Sequence, residues 1–343
     1  MQRGSVYSVY QTQRPPCQRR SAVGSEKAMG EHLMNGAVHP TVAVSICTYN
    51  RHEPLARLLE SLVVNAKRLA GRASVGVVVV DDSADGNARH VVERFADRFE
   101  LGLSYRISGR QNIALARNMA LETAIDLGDW IAMTDDDCEA APDWLEALLD
   151  LQQRTGADAV SGVLKRRVPP GSPRWLTEEP FLDLGLWEGV EDGAEVDSAA
   201  THNSMLSSRW LREHPAIRFD PDLGVTGGED PVFYRTAHAA GLRIHYSRGA
   251  VVYENESPSR ATLSYQLRTF FWHGNSAYIA CVRRGDPPFR MFGYGGKRVL
   301  SALQRPLVRL ARGEPPHLRY CIASVLWGVG VMVGMLGVQV PHK

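Results

Sequence analysis

Apolar residues along the chain recur with two alternating periods. Thr41–Cys47 (TVAVSIC) is a short β-branched run that reads as a strand. Residues 53–69 place Leu55, Leu58, Leu59, Leu62 and Val63 at helical spacing, with Pro54 suited to a first helical turn. Val75–Val80 is apolar at every position, as in a parallel strand covered on both faces. A helix over 86–99, a strand over Leu103–Ile107, a helix over Ile113–Leu127 and an apolar strand over Trp130–Thr134 continue the alternation. The pattern predicts an α/β domain with a mainly parallel sheet. After a strand near Asp158–Val163 the regularity loosens, and 168–200, rich in Pro, Gly and acidic residues, reads as a long loop or insertion. A helix over Pro231–Ala240, strands over Leu242–Tyr246 and Ala250–Tyr253, and an aromatic-rich helix over 261–280 follow.

Composition narrows the class. The chain has 343 residues, 44% hydrophobic and 22% charged, which excludes a collagen-like, coiled-coil or wholly disordered protein. A net charge of +1 argues against a general nucleic-acid binder. That value is a sum of unlike parts: residues 1–40 carry +3, residues 282–319 carry +7, and 41–281 carry −10. Residues 1–40 contain no apolar run of the signal-peptide kind and read as a flexible extension. The cysteines (Cys17, Cys47, Cys138, Cys281, Cys321) are odd in number and widely spaced, so a reducing, cytoplasmic setting is expected.

Parallel α/β sheets bind ligands at the carboxyl ends of their strands. Three strands here end in suitable residues: Thr48-Tyr49-Asn50-Arg51, Asp81-Asp82-Ser83 and Asp135-Asp136-Asp137. Three adjacent carboxylates repel one another unless solvated or neutralised. Asp135 and Asp137 are suited to one hard divalent ion, which takes one or two protein carboxylates plus phosphate oxygens; a solvated turn is the alternative. Asp81-Asp82 suits base N–H or ribose hydroxyl groups better than a second metal. In Gly227-Gly228-Glu229-Asp230-Pro231 two carboxylates open a helix. One reading makes them a helix cap ahead of Pro231; the other makes one of them a general base.

Taken together these residues resemble family 2 glycosyltransferases of the GT-A fold. The matching segments, in family order, are VAVSICTYNR (42–51), VVVVDDS (77–83), GRQNIALARNMAL (109–121), Asp135-x-Asp137 followed by Pro142, and GGEDPVFYR (227–235). They span about 41–280, and the subgroup resembled is the non-processive bacterial transferases of exopolysaccharide and cell-surface glycan assembly. The resemblance implies that Thr48, Asn50 and Arg51 line a nucleotide pocket, and that Asp82 binds the base of a UDP-linked donor. Arg117 and Asn118 would lie near the diphosphate or sugar. Asp135 and Asp137 would contact ribose and an Mg²⁺ or Mn²⁺ ion. Asp230 would be the catalytic base, with Glu229 placing the acceptor. Arg268 and His273, on the aromatic helix, are candidates for diphosphate contact, or Arg268 is a solvated residue on a packed helix. Gln266-Leu-Arg-Thr-Phe does not reproduce the Q-x-x-R-W of processive members, which favours transfer of a single sugar. The expected acceptor is a lipid-linked saccharide; a soluble metabolite, or an inactive GT-A module that only binds nucleotide sugar or glycan, are the alternatives.

A GT-A domain is therefore expected over 41–281, followed by a basic and hydrophobic extension over 282–343. Residues 298–312 alternate Leu and Arg and are interrupted by Pro306, so they read as a broken amphipathic segment. Tyr320–Val338 carries no charge and contains Gly330-x-x-x-Gly334. Its length is marginal for a bilayer span, and a G-x-x-x-G packs helices in lipid. Either the segment associates with the inner face of the cell membrane, spanning it, lying in its interface or dimerising, aided by the preceding basic residues, or it is a buried helix of the fold.

Overall fold

The computed structural model describes residues 39–182 and 189–341. The extension expected over 1–40 lies outside the described residues, apart from its last two. In chain order the elements are β1 (Thr41–Thr48), α1 (His52–Arg68), β2 (Ser74–Asp81), α2 (Arg89–Val92), β3 (Leu103–Ile107), α3 (Ile113–Leu127) and β4 (Trp130–Met133). Then come β5 (Cys138–Ala140), α4 (Trp144–Thr155), β6 (Ala159–Arg167), α5 (Trp175–Glu178), β7 (Glu195–Val196), β8 (Ser204–Ser207) and α6 (Ser208–Glu213). The remainder is α7 (Glu229–Ala239), β9 (Ile244–Asn255), α8 (Leu263–Arg283), α9 (Pro288–Ala311) and α10 (Leu318–Met335).

The sheet runs β3-β2-β1-β4-β8-β6-β9-β5, with β7 also on β9. β3, β2, β1, β4, β6 and β9 point one way; β8, β5 and β7 oppose them. The apolar run of β2 is explained by burial on both faces: Val77 and Val79 join one core layer, Val78 and Val80 the other. Register brings the polar strand ends together. Thr48 pairs with Asp81 across β1 and β2, and Ser45 with Met133 across β1 and β4, so the chain leaving β4 runs beside Thr48.

Several expectations change in detail. The helix expected over 86–99 is the short α2 and a 3-10 turn at Glu93–Phe95, because Asp81 anchors the preceding loop through Ser83 N and Ala88 N. The two strands expected after α7 are one bulged strand, β9, whose register on β6 shifts between Ser161 and Val163. The loop expected over 168–200 contains α5 and β7. Pro306 does not break α9, which runs through it. Among the described residues Cys47, Cys138, Cys281 and Cys321 form no disulfide.

A third apolar cluster joins Leu176, Phe181, Phe270, Tyr320, Trp327 and Val331, so α8, α10 and the 168–182 loop share one core. The two long helices approach at glycines. A Cβ on Gly330 would lie 2.0 Å from the Phe271 carbonyl oxygen, and one on Gly274 would lie 1.9 Å from that of Trp327. Asn275 of α8 also bonds Val338 O at 2.9 Å and receives Val340 N at 2.9 Å, tying down the chain after α10. The boundary expected at 281 thus falls within α8, and α10 packs along that helix.

Candidate active site

The strand ends, the start of α7 and one side of α8 surround a cleft of about 790 Å³. Its floor comes from β1 and β4. Thr48 Oγ1 donates to Asp136 Oδ2 at 2.8 Å, while Arg51 Nη1 reaches Asp136 Oδ1 at 2.8 Å and Asp137 Oδ2 at 2.9 Å. Burial pushes the Asp136 carboxyl up to about 6 although Arg51 beside it pulls the other way. Asp136, the middle residue of the triplet, is thus spent on holding Thr48 and Arg51. Asp135 and Asp137 line the cleft on either side of it.

Asp81 and Asp82 divide their work. Asp81 is fully buried and accepts from Ser83 N, Ala88 N and Tyr105 Oη, the last at 2.6 Å. Burial alone would raise its pKa, but these donors outweigh it and the pKa is lowered. Asp82 lines the cleft, and its Oδ1 accepts from Arg110 N at 3.0 Å and Gln111 N at 3.1 Å. It therefore fixes the loop that starts α3.

Arg117, in the second turn of α3, joins the two halves of the site. It pairs with Glu229 and, at 3.1 Å, with Asp135. Burial works against its charge, yet Glu229, Asp135 and Asp230 raise its pKa further. Gly227 and Gly228 lead into α7 with φ +80° and +95°, a left-handed backbone that suits glycine, and a Cβ on Gly227 would sit 2.2 Å from the Trp272 ring. This turn presents Glu229 and Asp230 to the cleft. Burial is the main cause that pushes Asp230 up to about 7, with the Glu229 charge adding to it and Arg117 opposing.

Not every expected residue reaches the cleft. Asn50 has φ +55° and is held from outside by Asn87 Nδ2; it does not line the cavity. Asn118 uses both ends of its amide on the Phe219 backbone, at 2.8 and 2.9 Å, and lies outside the lining. Arg268 is exposed and does not line the cleft, whereas His273 lines it beside Trp272. Sequence reasoning missed a second arginine layer. Arg260 Nη1 contacts Asp137 Oδ2 at 3.0 Å and Glu254 Oε1 at 3.2 Å, and Arg166 pairs with Glu254 and Glu256. The visible signal was Glu254-x-Glu256 at the end of β9, two carboxylates needing buried cations.

Among the described residues no group of three or more His, Cys, Asp and Glu side chains forms a cage. Asp135 and Asp137 are hard oxygen donors in one cleft, and both arginine contacts on Asp137 go to Oδ2. This suits an ion that takes one or two carboxylates and completes its shell with diphosphate oxygens.

The chain thus combines a mainly parallel sheet, a carboxylate-lined cleft at its strand ends and a second carboxylate pair on α7. The chain belongs to glycosyl transferase family 2, whose model matches residues 43–214. It is 33% identical over 245 residues to the succinoglycan biosynthesis protein ExoM of Rhizobium meliloti, covering 71% of this chain and 75% of that one. It is 26% identical over 247 residues to the glucosyl-dolichyl phosphate glucuronosyltransferase of Haloferax volcanii, covering 69% and 76%. The mannosyltransferase PcManGT of Pyrobaculum calidifontis, solved with GDP-Man and Mn²⁺, superposes with a TM-score of 0.57 at 16% identity, covering 88% of this chain and 89% of that one. The fold is accordingly GT-A, as the motifs implied.

Proposed function

We propose that the protein transfers one sugar, with inversion, from a nucleotide-sugar donor to a hydroxyl of a lipid-linked saccharide during assembly of a cell-surface glycan or exopolysaccharide. The observation carrying this reading is a single cleft that holds the buried Asp230 carboxyl, its pKa raised, together with the Asp135/Asp137 pair and three arginines. The ExoM relative supports the glycan-assembly setting, and the dolichyl-phosphate-linked substrate in the Haloferax relative's name supports the lipid-linked acceptor. We assign a UDP-linked donor from the family motifs.

In the reaction the acceptor hydroxyl attacks the anomeric carbon. The new C–O bond forms as the bond to the diphosphate oxygen breaks, and the nucleoside diphosphate leaves with the electron pair. The hydroxyl proton passes to the Asp230 carboxylate, whose raised pKa makes it a stronger base than an exposed aspartate. Glu229, held by Arg117, orients the acceptor. Arg51, Arg117 and Arg260 offset charge around the diphosphate while keeping Asp135 and Asp137 in place. Asp135 and Asp137 would hold Mg²⁺ or Mn²⁺, which when bound supplies Lewis-acid stabilisation of the leaving group.

A donor panel read by mass spectrometry, with membrane extract as the source of acceptor, tests the proposal. Wild type should release nucleoside diphosphate only with added Mg²⁺ or Mn²⁺, and Asp137→Ala should lose that release. Turnover by Asp137→Ala equal to wild type would remove the metal assignment. No turnover of any donor by wild type would leave a binding module as the better account.

A further inference from the structure

We infer that α9 lies flat on an anionic lipid surface and anchors the protein there. Its sequence places Phe289, Phe292, Leu300, Leu303, Leu307 and Leu310 three, four or seven to eight residues apart, on one helical face. All six are 56% to 72% exposed. The opposite side is already engaged. Met291, Gly295 and Ala302 are buried, and the Arg298 and Arg305 guanidinium groups lie 4.9 Å from the Trp327 and Tyr320 ring centroids of α10. The exposed row is therefore not the seat of α10, and no other described element covers it.

Charge selects the occupant. α9 carries Arg290, Lys297, Arg298, Arg305 and Arg309 and no acidic side chain, and Arg290 and Lys297 are exposed beside the apolar row. A second copy of α9 meeting this face would bring further cations and no acidic side chain to pair with Arg290 and Lys297. An anionic bilayer accepts both the leucines and the cations. A helix of 24 residues is about 36 Å long, enough for an extended footprint in the interface plane.

The anchor is joined to the cleft. α9 packs on α10, and α10 packs on α8 through Gly330 and Gly274. Trp327 of α10 and Tyr265 and Trp272 of α8 line the cavity. α10 is apolar enough to qualify as a span, but half of it is buried against the protein. Leu318, Ile322 and Met332 of α10 are themselves exposed. Lying on the membrane thus preserves the helix packing that crossing it would disrupt. The purpose assigned here, bringing the cleft to a lipid-linked acceptor, rests on the proposed function; the lipid contact itself does not.

Co-sedimentation of the full chain with phosphatidylcholine vesicles, with and without phosphatidylglycerol, tests the inference. Wild type should bind phosphatidylglycerol-containing vesicles, more weakly at high salt. Leu303→Ser with Leu307→Ser should weaken binding by about tenfold or more, with unchanged circular dichroism and lipid-free molar mass. Arg290→Glu with Lys297→Glu should remove the preference for phosphatidylglycerol, a loss of about tenfold or more. Wild type remaining in the supernatant, or a leucine variant binding as wild type does, would overturn the inference. So would a lipid-free dimer that the leucine variant turns into a monomer, since the occupant would then be a second copy. Donor turnover on the same samples reports on the proposed function separately, because its loss in wild type would leave the vesicle result standing.

Discussion

At the residue scale, the proposed base Asp230 links the chemistry to a pH response. A base must be unprotonated, so transfer should rise with pH through about 7, as read from a kcat/KM profile at saturating metal. The same burial costs stability. Since its folded pKa exceeds the unfolded value of about 3.9, Asp230 contributes stability that is fully present below that value and is lost as pH rises through about 7. Asp230→Asn should therefore have a higher Tm than wild type at pH 8, checked by calorimetry. Arg117 acts in the opposite direction on Asp230. Arg117→Met would leave Glu229 and Asp135 without their shared cation and should cost about 3–5 kcal/mol. In Arg117→Lys, where one ammonium replaces a two-sided guanidinium, the pH profile should move upward if the contact with either carboxylate is lost. The sequence made Asp135, Asp137, Glu229 and Asp230 legible because their carboxylates close strands or open a helix. It could not show that Asn118 serves the Phe219 backbone or that Arg260 reaches Asp137, since those contacts depend on segments about a hundred residues apart.

At the scale of elements, the alternation of strand and helix was readable because parallel strands must be apolar on both faces and helices on one. α3 lies where its sequence spacing placed it, from Ile113 to Leu127. The short pieces β5, β7 and β8 escaped notice because two to four residues carry too little periodicity. Gly330-x-x-x-Gly334, whose sequence left both a lipid setting and a buried helix open, packs on α8, with Gly330 on its backbone and Gly334 on Tyr278. Gly330→Ala would bring a methyl group into the Phe271 carbonyl and should destabilise the fold by about 1–3 kcal/mol, measured by urea unfolding. Donor turnover should fall with it, because Trp272 and Trp327 line the cleft from these two helices.

At the scale of the molecule, the small net charge conceals a division of labour. The −10 of residues 41–281 includes the carboxylates of the cleft, and the +7 of 282–319 includes the exposed cations of α9. The two regions meet through α8 and α10, whose apolar side chains share one core. Sequence patterning found both charges but not the packing that joins them, because α10 reads the same whether its partner is lipid or α8. In the proposed reaction the protein transfers a sugar with Asp230 as base. The most direct test measures glycoside formation by wild type and Asp230→Asn with the same donor, metal and membrane acceptor, alongside donor affinity by calorimetry. The expected result is unchanged donor affinity with transfer abolished in Asp230→Asn; transfer at the wild-type rate would contradict it.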